Sequence, residues 1–377
     1  MEPRGHIRRV FAGANSARGF WSLYEEQMRL ATEQVYVIKG GPGNGKSTFI
    51  RRIAEDLAAN GFDVDLLMCS SDTASVDGFY APALGVAVID GTAPHVVDPV
   101  YPGVVGEVVD FGRFMDRRAL RARREAILAT ADANRACYDH VYHYLAAARV
   151  FYDDVRRHID RCGARDVPTL DALAADLIRE VLGEVEPRSK PGRNRPLFAS
   201  AITPDGFRNH MDTIFHPLRR RFVIRGQWGT GKSTIVGRLR DEAIRMGYDV
   251  ESYYCGLDPL RLEHLVIPEL EVGVITSELP HTFEPRSDDV VLDTAQAVDA
   301  RSLERALEDL NASREMYGRS MELAIHWLAR AKALHDDLER YYAPHVNFTA
   351  IDELRGELLA RIYGGAHELG LLSGTGP

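Results

Sequence analysis

The stretch KGGPGNGKSTF at residues 39–49 recurs 186 positions later, slightly altered, as RGQWGTGKSTI at residues 225–235. The similarity extends well beyond these two stretches. Residues 35–99 align with residues 221–285 without a gap and share 22 identities in 65 positions. The repeated unit is therefore a whole domain rather than a motif. Internal repetition at this period indicates two copies of one structural unit in a single chain.

The ends of the repeat can also be traced. With one more residue of offset, FAGANSARGF at 11–20 aligns with FASAITPDGF at 198–207. The seam lies in EPRSKPGRNRP at 186–196, which has the polar, proline-rich composition of a linker. These boundaries predict two repeats, 1–190 and 191–377.

Short apolar runs rich in β-branched residues lead into both glycine-rich stretches. QVYVIKG at 34–40 and RRFVIRG at 220–226 have the composition of buried parallel strands. A helical pattern follows each run and ends at Gly61 or Gly247. Further strand patterns follow in both copies, at 62–69 and 84–90 and at 248–255 and 270–276. This alternation predicts an α/β fold with a mostly parallel sheet and flanking helices in each repeat.

The rest of each repeat has a different composition. Residues 113–183 and 302–364 are rich in Ala, Arg, Leu, Glu and Asp with apolar spacing that suits helices. We expect a helical hairpin or lid in each repeat, and the alternative is a pair of helices that only cover the sheet. Arginines of these segments, such as Arg113, Arg117 and Arg118, are candidates to supply charge across an interface between the repeats.

Both loops, 40–48 and 226–234, match the pattern G-x-x-x-x-G-K-S. Glycines let successive backbone N–H groups point at anionic oxygens, and the N-terminus of the following helix favours negative charge. In such a loop the lysine reaches the β- and γ-phosphates and the serine hydroxyl joins the Mg²⁺ shell. The fold class predicted is thus a tandem pair of P-loop NTPase cores that bind ATP or another NTP with Mg²⁺. The predicted nucleotide-binding residues are Gly40, Gly41, Gly43, Asn44, Gly45, Lys46, Ser47 and Thr48 in the first loop, and Gly226, Gly229, Thr230, Gly231, Lys232, Ser233 and Thr234 in the second.

The two copies differ where a metal-holding carboxylate is expected. The strand pattern VAVID ends in Asp90, whereas its counterpart VGVIT ends in the uncharged Thr276. The first loop is therefore the stronger candidate for catalysis, and the second is expected to bind nucleotide better than it hydrolyses it. No glutamate follows Asp90, so fast hydrolysis is not expected. The predicted catalytic residues are Lys46, Asp90, His95 and Lys232, and the predicted metal ligands are Ser47, Asp90 and Ser233.

Several neighbours of the loops also recur in both copies. His95 and His281 follow the third strand pattern, a position where ligands collect in open α/β sheets. Such a histidine is expected to contact a phosphate or to transfer a proton. The alternative is a loop histidine that only forms a hydrogen bond with the backbone. Asp72 recurs as Asp258, and Asp77 is matched by Glu263. Asp72 and Asp258 are expected either to bind a metal or an acceptor, or simply to form a turn. The matched Cys69 and Cys255 are expected to be core thiols.

The composition narrows the class of protein. Hydrophobic residues make up 45 % and charged residues 27 %, as in ordinary globular proteins. A net charge of −9 without a polybasic run gives no support for nucleic-acid binding. The four cysteines form no CxxC pair and fit a reducing compartment. No secretory signal and no long apolar run is evident, so we predict a cytoplasmic protein without a membrane span.

The segment IDGTAPHVVDP at 89–99, beside two P-loops 186 residues apart, resembles a family of uncharacterised bacterial tandem P-loop ATPases. The resemblance runs nearly end to end. It implies a P-loop NTPase fold and ATP binding, and it implies little about the substrate.

Three functions are compatible with the sequence. The first is a slow or partner-stimulated ATPase with two nucleotide sites, whose halves form an internal pseudo-dimer. The second is a kinase that transfers the γ-phosphate of ATP to a nucleotide or another small molecule. The third is a nucleotide-sensing scaffold without catalysis. The uncharged Thr276, at the position expected for a metal-holding carboxylate, favours this function.

Overall fold

The computed structural model describes residues 4–304 and 307–371. Residues 1–3, 305–306 and 372–377, which belong to the predicted repeats, lie outside the described residues. None of the described helices is long and apolar enough to cross a membrane.

The first repeat contains eight strands and five α-helices among its described residues. Its elements are β1 (Ile7–Val10), β2 (Gly13–Ser16), β3 (Gly19–Ser22), α1 (Tyr24–Met28), β4 (Gln34–Lys39), α2 (Lys46–Ala59), β5 (Val64–Met68), β6 (Val76–Ala81), β7 (Val86–Asp90), β8 (Gly106–Asp110), α3 (Arg117–Ala122), α4 (Arg124–Arg161) and α5 (Val167–Leu182).

The described residues of the second repeat reproduce this order. Its elements are β9 (Asn194–Leu197), β10 (Ser200–Thr203), β11 (Gly206–Asn209), α6 (Met211–Phe215), β12 (Arg220–Arg225), α7 (Lys232–Arg245), β13 (Val250–Tyr254), β14 (Leu262–Ile267), β15 (Val272–Ser277), β16 (Val290–Asp293), α8 (Ala300–Glu304), α9 (Leu307–Tyr342) and α10 (Phe348–Glu368).

Each repeat is built on a six-stranded mixed sheet that is mostly parallel, which confirms the predicted α/β class. The first sheet runs β1-β5-β6-β7-β4-β8, and the second has the equivalent order β9-β13-β14-β15-β12-β16. The sequence patterns predicted three strands in each sheet, and the structure adds the edge strands and one interior strand. The interior strands β6 and β14 pair antiparallel with both neighbours, and all other pairings in the two sheets are parallel.

Matched residues of the two repeats meet where the edge strands β1 and β9 approach each other. The backbone of Phe11 exchanges two hydrogen bonds of 2.9 Å with the backbone of Phe198, its counterpart in the alignment. The hairpin strands β2 and β10 also pack together beside this bridge. Like residue therefore faces like residue, as in the isologous interface of a two-fold dimer.

A cluster of four charges, two buried carboxylates and two partly buried arginines, lies at the same interface. Arg8 binds both Asp65 and Glu251 through paired hydrogen bonds of 2.6–2.8 Å. Arg195 also binds both carboxylates. Arg8 and Arg195 are counterparts, as are Asp65 and Glu251, so this charge cluster contains two equivalent pairs. The positive charges balance the negative ones, which is the condition under which buried charges are tolerated.

The helices after each sheet exchange partners. The long helices α4 and α9 pack against each other, and the helix that follows each of them lies on the sheet of the other repeat. Leu358 and Ile362 of α10 are buried in the core of the first repeat beside α2. Leu170 and Leu177 of α5 are buried in the core of the second repeat beside α7. Of the predicted helical segments, α4 and α9 therefore pack on each other, and only α5 and α10 cover a core, in each case that of the other repeat.

Candidate functional site

The first loop connects β4 to α2 at the carboxyl edge of the parallel strands. Gly43 and Gly45 adopt positive φ angles of 62° and 83°, and α2 begins directly at Lys46. Residues with side chains rarely adopt these angles, so the glycines permit the loop to curl around the start of the helix. The free N–H groups of the first helical turn thereby face the same space as the loop.

Lys46 lies at the centre of this loop. Its Nζ donates to the carbonyl oxygen of Gly41 at 2.7 Å and to Oδ1 of Asn44 at 3.3 Å. It also lies 3.7 Å from Oδ2 of Asp90, the carboxylate at the end of β7. The sequence therefore predicted correctly that Asp90 ends a strand, and the structure brings it to the loop lysine.

Serine and threonine hydroxyls connect the loop to the neighbouring strands. Ser47 Oγ accepts a hydrogen bond of 3.0 Å from the backbone N–H of Val76 in β6. Thr92 Oγ1 accepts from the N–H of Gly40 at 3.3 Å, and the N–H of Thr92 donates to Asp90 at 2.9 Å. These bonds fix the loop against the ends of β4, β6 and β7.

A cleft of about 780 Å³ opens beside the first loop. This volume lies in the range typical of small-molecule sites, roughly 300–1,000 Å³. The lining residues come from the loop and α2, from the strand ends and from the long helices. From the loop and helix they include Gly43, Asn44, Gly45, Lys46, Ser47, Thr48 and Arg51; from the strand ends Cys69, Asp72, Asp77, Asp90, Thr92 and His95; from α4 Asn134 and Tyr138; and from the second repeat Lys332, His335, Glu339 and Phe348.

The second repeat forms the roof over the first loop. A Cβ atom on Gly43 would lie 2.9 Å from the Cα of Glu339, which is closer than real contacts allow. A Cβ on Gly41 would meet the Tyr342 ring at 2.9 Å. Glycine is therefore favoured at position 43 both for its positive φ and because the end of α9 approaches so closely, and at position 41 because of the Tyr342 ring.

Charge from the helices enters the cleft at a different position from the one predicted. Arg113, Arg117 and Arg118 are exposed and are not among the residues that line it. The cation that α9 contributes is Lys332, which pairs with Asp336 and lies 3.7 Å from Asp72 Oδ2. The positive charge that a helix brings to the first cleft from the other repeat is therefore that of Lys332, and not that of the predicted arginines.

The second loop also has two positive-φ glycines, Gly229 and Gly231, before its helix, but its environment is closed. Lys232 Nζ forms a 2.5 Å ion pair with Glu278 and donates to the carbonyl oxygens of Gly226 and Gln227 at 2.7 Å. Only 6 % of the Lys232 side chain is exposed, and this burial lowers its pKa. The space along this loop measures about 70 Å³, and a neighbouring space behind Glu278 about 40 Å³. The 70 Å³ space is lined by the predicted residues Gly229, Thr230, Gly231, Lys232, Ser233 and Thr234.

Replacements at matched positions explain why one cleft is open and the other is filled. The offset is 186 in the sheets and 183 in the long helices, where FYDDV at 151–155 aligns with LHDDL at 334–338. Larger or charged side chains occupy the second site at each position. From the first site to the second, Pro42 becomes Trp228, Ser75 becomes Arg261, Thr92 becomes Glu278, Asn134 becomes Tyr317 and His335 becomes Tyr152.

The new side chains contact one another and close the second site. The Trp228 ring packs on Tyr317 and Tyr152 with centroid distances of 4.6 and 5.2 Å. Arg261 lies 3.6 Å from Glu278, so a chain of charges crosses the region where the first site is open. Roof residues of the first repeat also reach this loop, and Arg165 donates to the carbonyl of Gly229 at 3.1 Å.

His95, predicted to be catalytic, lies in a buried group at the inner wall of the first cleft. Its Nε2 is 3.5 Å from Oδ1 of Asp77, and the Asp77 Oδ2 accepts a 2.7 Å hydrogen bond from the Tyr24 hydroxyl. Burial raises the pKa of Asp77 and the pKa of the Cys69 thiol nearby. The sequence identified the positions of Cys69, Asp77 and His95 as shared between the repeats, but it did not single out Tyr24 or indicate that these residues meet.

Comparison of the chain with protein-family models, curated proteins and solved structures finds no match. The resemblance to tandem P-loop ATPases therefore stays a prediction, and the function has to be inferred from the geometry of the two loops.

Proposed function

We propose that the chain is a P-loop NTPase that binds ATP, or another NTP, with Mg²⁺ in the cleft of the first repeat. One observation carries the proposal. The cleft of about 780 Å³ joins a glycine-rich loop, a helix N-terminus, a lysine, a serine hydroxyl and a carboxylate in one place. Each of these groups has a defined task toward a magnesium–triphosphate complex.

Residue roles follow from their positions. Lys46 and the N–H groups of the loop bind the β- and γ-phosphates, and Ser47 and Asp90 hold the Mg²⁺ and its water shell. The 3.7 Å contact between Lys46 and Asp90 keeps both groups near their working positions. His95 lies buried against Asp77 at the inner wall of the cleft, so we assign it no direct contact with the phosphates. Because Gly91 follows Asp90, no adjacent glutamate activates water, and we expect slow or partner-stimulated hydrolysis.

The second loop is assigned a different role. Lys232 is already neutralised by Glu278, and the spaces around it are far smaller than a typical ligand site. We therefore assign nucleotide binding to the first site alone, with the second loop held closed inside the protein. This revises the expectation of two nucleotide sites.

The test uses two matched variants of the full chain, Lys46→Ala and Lys232→Ala. Loss of a charged contact in a desolvated site typically removes 2 kcal/mol or more, so Lys46→Ala should weaken Mg–ATP binding by about 30-fold or more and abolish phosphate release. Lys232→Ala should leave both nearly unchanged. Calorimetric titration and a phosphate-release assay measure the two effects, and circular dichroism checks the fold. Unchanged binding in Lys46→Ala would show that the proposal is wrong.

A kinase is the second candidate, because the cleft extends past the loop along groups suited to an acceptor. Asp72, Asn134, Tyr138 and Lys332 line this extension, and none of them belongs to the phosphate loop. Screening nucleosides, nucleotides and other small molecules with γ-labelled ATP distinguishes the two reactions. Label in an acceptor supports the kinase, whereas steady phosphate release with no labelled acceptor supports the hydrolase.

A further inference from the structure

Three metal-ligating side chains meet at the inner wall of the first cleft. Cys69 follows β5, Asp77 lies in β6 and His95 follows β7, so three neighbouring strands supply one side chain each. One ligand atom from each lies within 4.8 Å of the other two, and all three residues are buried. Among the described residues, no second group of three histidine, cysteine or acidic side chains has its ligand atoms this close together.

The distance between two of these groups suits a shared ion better than a hydrogen bond. Nε2 of His95 lies 3.5 Å from Oδ1 of Asp77, whereas N–H···O bonds are typically 2.7–3.2 Å long. Two tetrahedral ligands at the usual zinc distances of about 2.0–2.2 Å are separated by roughly 3.3–3.6 Å. The pair therefore already has the separation that a tetrahedral ion requires.

The imidazole also has an unused ligand atom. Nδ1 of His95 is buried and has no hydrogen-bond partner among the described residues, although only 7 % of the side chain is exposed. Buried polar nitrogens are nearly always paired. Nδ1 of the matched His281 is also buried and unpaired, so this nitrogen does not distinguish the two repeats. The first repeat differs in that no lysine or arginine of the described residues pairs with its carboxylate, Asp77.

The residues around the group orient it. The Tyr24 hydroxyl donates to Asp77 Oδ2 at 2.7 Å and thereby leaves Oδ1 facing the histidine. The Phe20 and Tyr24 rings pack edge-on against the His95 ring at 5.1 Å and fix its plane. Metal sites commonly hold their ligands in this way with hydrogen bonds and packing from a surrounding layer.

The second repeat shows how the same arrangement is completed without an ion. Its counterparts are Cys255, Glu263 and His281, and the guanidinium of Arg261 donates to Cys255 Sγ at 3.0 Å and to Glu263 at 2.6 Å. An internal cation thus supplies the positive charge. At the matched position the first repeat has Ser75, whose hydroxyl bonds Asp72 instead. Asp77 forms no ion pair with a lysine or arginine of the described chain, so its group lacks this cation.

We propose that Cys69, Asp77 and His95 bind a divalent transition-metal ion of the zinc class, with the remaining coordination position open to the cleft that all three line. A thiolate and an imidazole select such ions over Mg²⁺, which prefers oxygen ligands. Three protein ligands with an open fourth position are typical of zinc ions that act on a substrate rather than structural ones. This ion is distinct from the Mg²⁺ assigned to Ser47 and Asp90.

The test is a Co²⁺ titration of the full chain after chelator treatment and dialysis. Co²⁺ replaces Zn²⁺ in tetrahedral sites and reports a thiolate ligand by a charge-transfer absorption band. We expect one equivalent of Co²⁺ with this band in the wild type and in Cys255→Ser, the matched control. The band should be absent in Cys69→Ser. A wild type without the band, or a band that persists in Cys69→Ser, overturns the proposal.

A second variant keeps the test valid should Cys69→Ser fail to fold. Asp77→Asn keeps the shape of the side chain and should weaken Co²⁺ binding at least tenfold at unchanged circular dichroism. Zn²⁺ added to the cobalt-loaded wild type should remove the band. Equal Co²⁺ affinity in Asp77→Asn and wild type overturns the proposal. None of these readouts requires nucleotide, so their failure is separable from that of the proposed NTPase.

Discussion

Replacing Glu251 by Gln tests whether the buried charge cluster holds the two repeats together. Glu251 accepts hydrogen bonds of 2.6 and 2.7 Å from Arg8, and only 8 % of its side chain is exposed. Its removal leaves the partly buried Arg8 and Arg195 with Asp65 alone, so one positive charge of the cluster has no partner. At an effective dielectric constant of about 20, each pair of charges at about 4 Å contributes roughly 4 kcal/mol.

Breaking a buried ion pair on one side typically lowers the free energy of unfolding by about 3–5 kcal/mol, and we expect Glu251→Gln to do so. Urea denaturation followed by circular dichroism measures the effect. Asp132→Asn is the control, because the Asp132–Arg135 pair is exposed and is expected to contribute less than about 1 kcal/mol. A Glu251→Gln midpoint that equals the control would refute the assigned role of the cluster.

The same charge cluster determines how the free energy of unfolding changes with pH. Burial alone would raise the pKa of Glu251 and of Asp65, but Arg8 and Arg195 outweigh it and lower both values. Groups whose pKa is lower in the folded state stabilise the fold above their unfolded pKa values, about 3.9–4.3 here. The stability difference between wild type and Glu251→Gln should therefore be full above about pH 5 and shrink as the pH falls below 4. A difference that grows on acidification would contradict this reasoning.

Two further predictions concern the exchanged helices and the closed second loop. Leu358→Ala on α10 should lower the free energy of unfolding by about 2–5 kcal/mol and speed hydrogen exchange in α2 of the first repeat, whereas Leu323→Ala, at a position 43 % exposed, should change little. Faster exchange confined to α7 would contradict the observed packing. Calorimetry should give one Mg–nucleotide per chain, because the spaces at the second loop measure only about 70 and 40 Å³, and a stoichiometry of two would contradict the closed site.

The sequence predicts the duplicated sheet well because the loop, helix and strand patterns recur at a fixed offset. It misses β6, since VDGFYA contains Asp77 and Gly78 and lacks the alternation of a strand with one exposed face. Nearly every residue of β6 is buried, because β6 lies inside the sheet between two strands and α2 packs on one of its faces. Edge strands such as β8 are missed for another reason. Their assignment depends on pairing with β4, which no local pattern reports.

The local sequence of a helix also does not indicate which other element the helix packs against. The apolar spacing of α5 predicts that one face is buried, but it does not say that Leu170 and Leu177 pack on α7 of the other repeat. The closure of the second site, by contrast, does leave a signal in the sequence. The ungapped alignment places Glu278 opposite Thr92 and Arg261 opposite Ser75, and two new opposite charges near one lysine indicate an internal ion pair.

The exchange of helices gives a physical reason for carrying both repeats, whatever the second loop binds. The first cleft takes Lys332, His335 and Glu339 from the second repeat, together with the roof formed by Tyr342 and Phe348. A first repeat alone would lose these groups and would expose the core that α10 covers. The second loop need not turn over nucleotide to be required. It belongs to the sheet on which α5 rests, and α9 carries the second repeat's contribution to the first site.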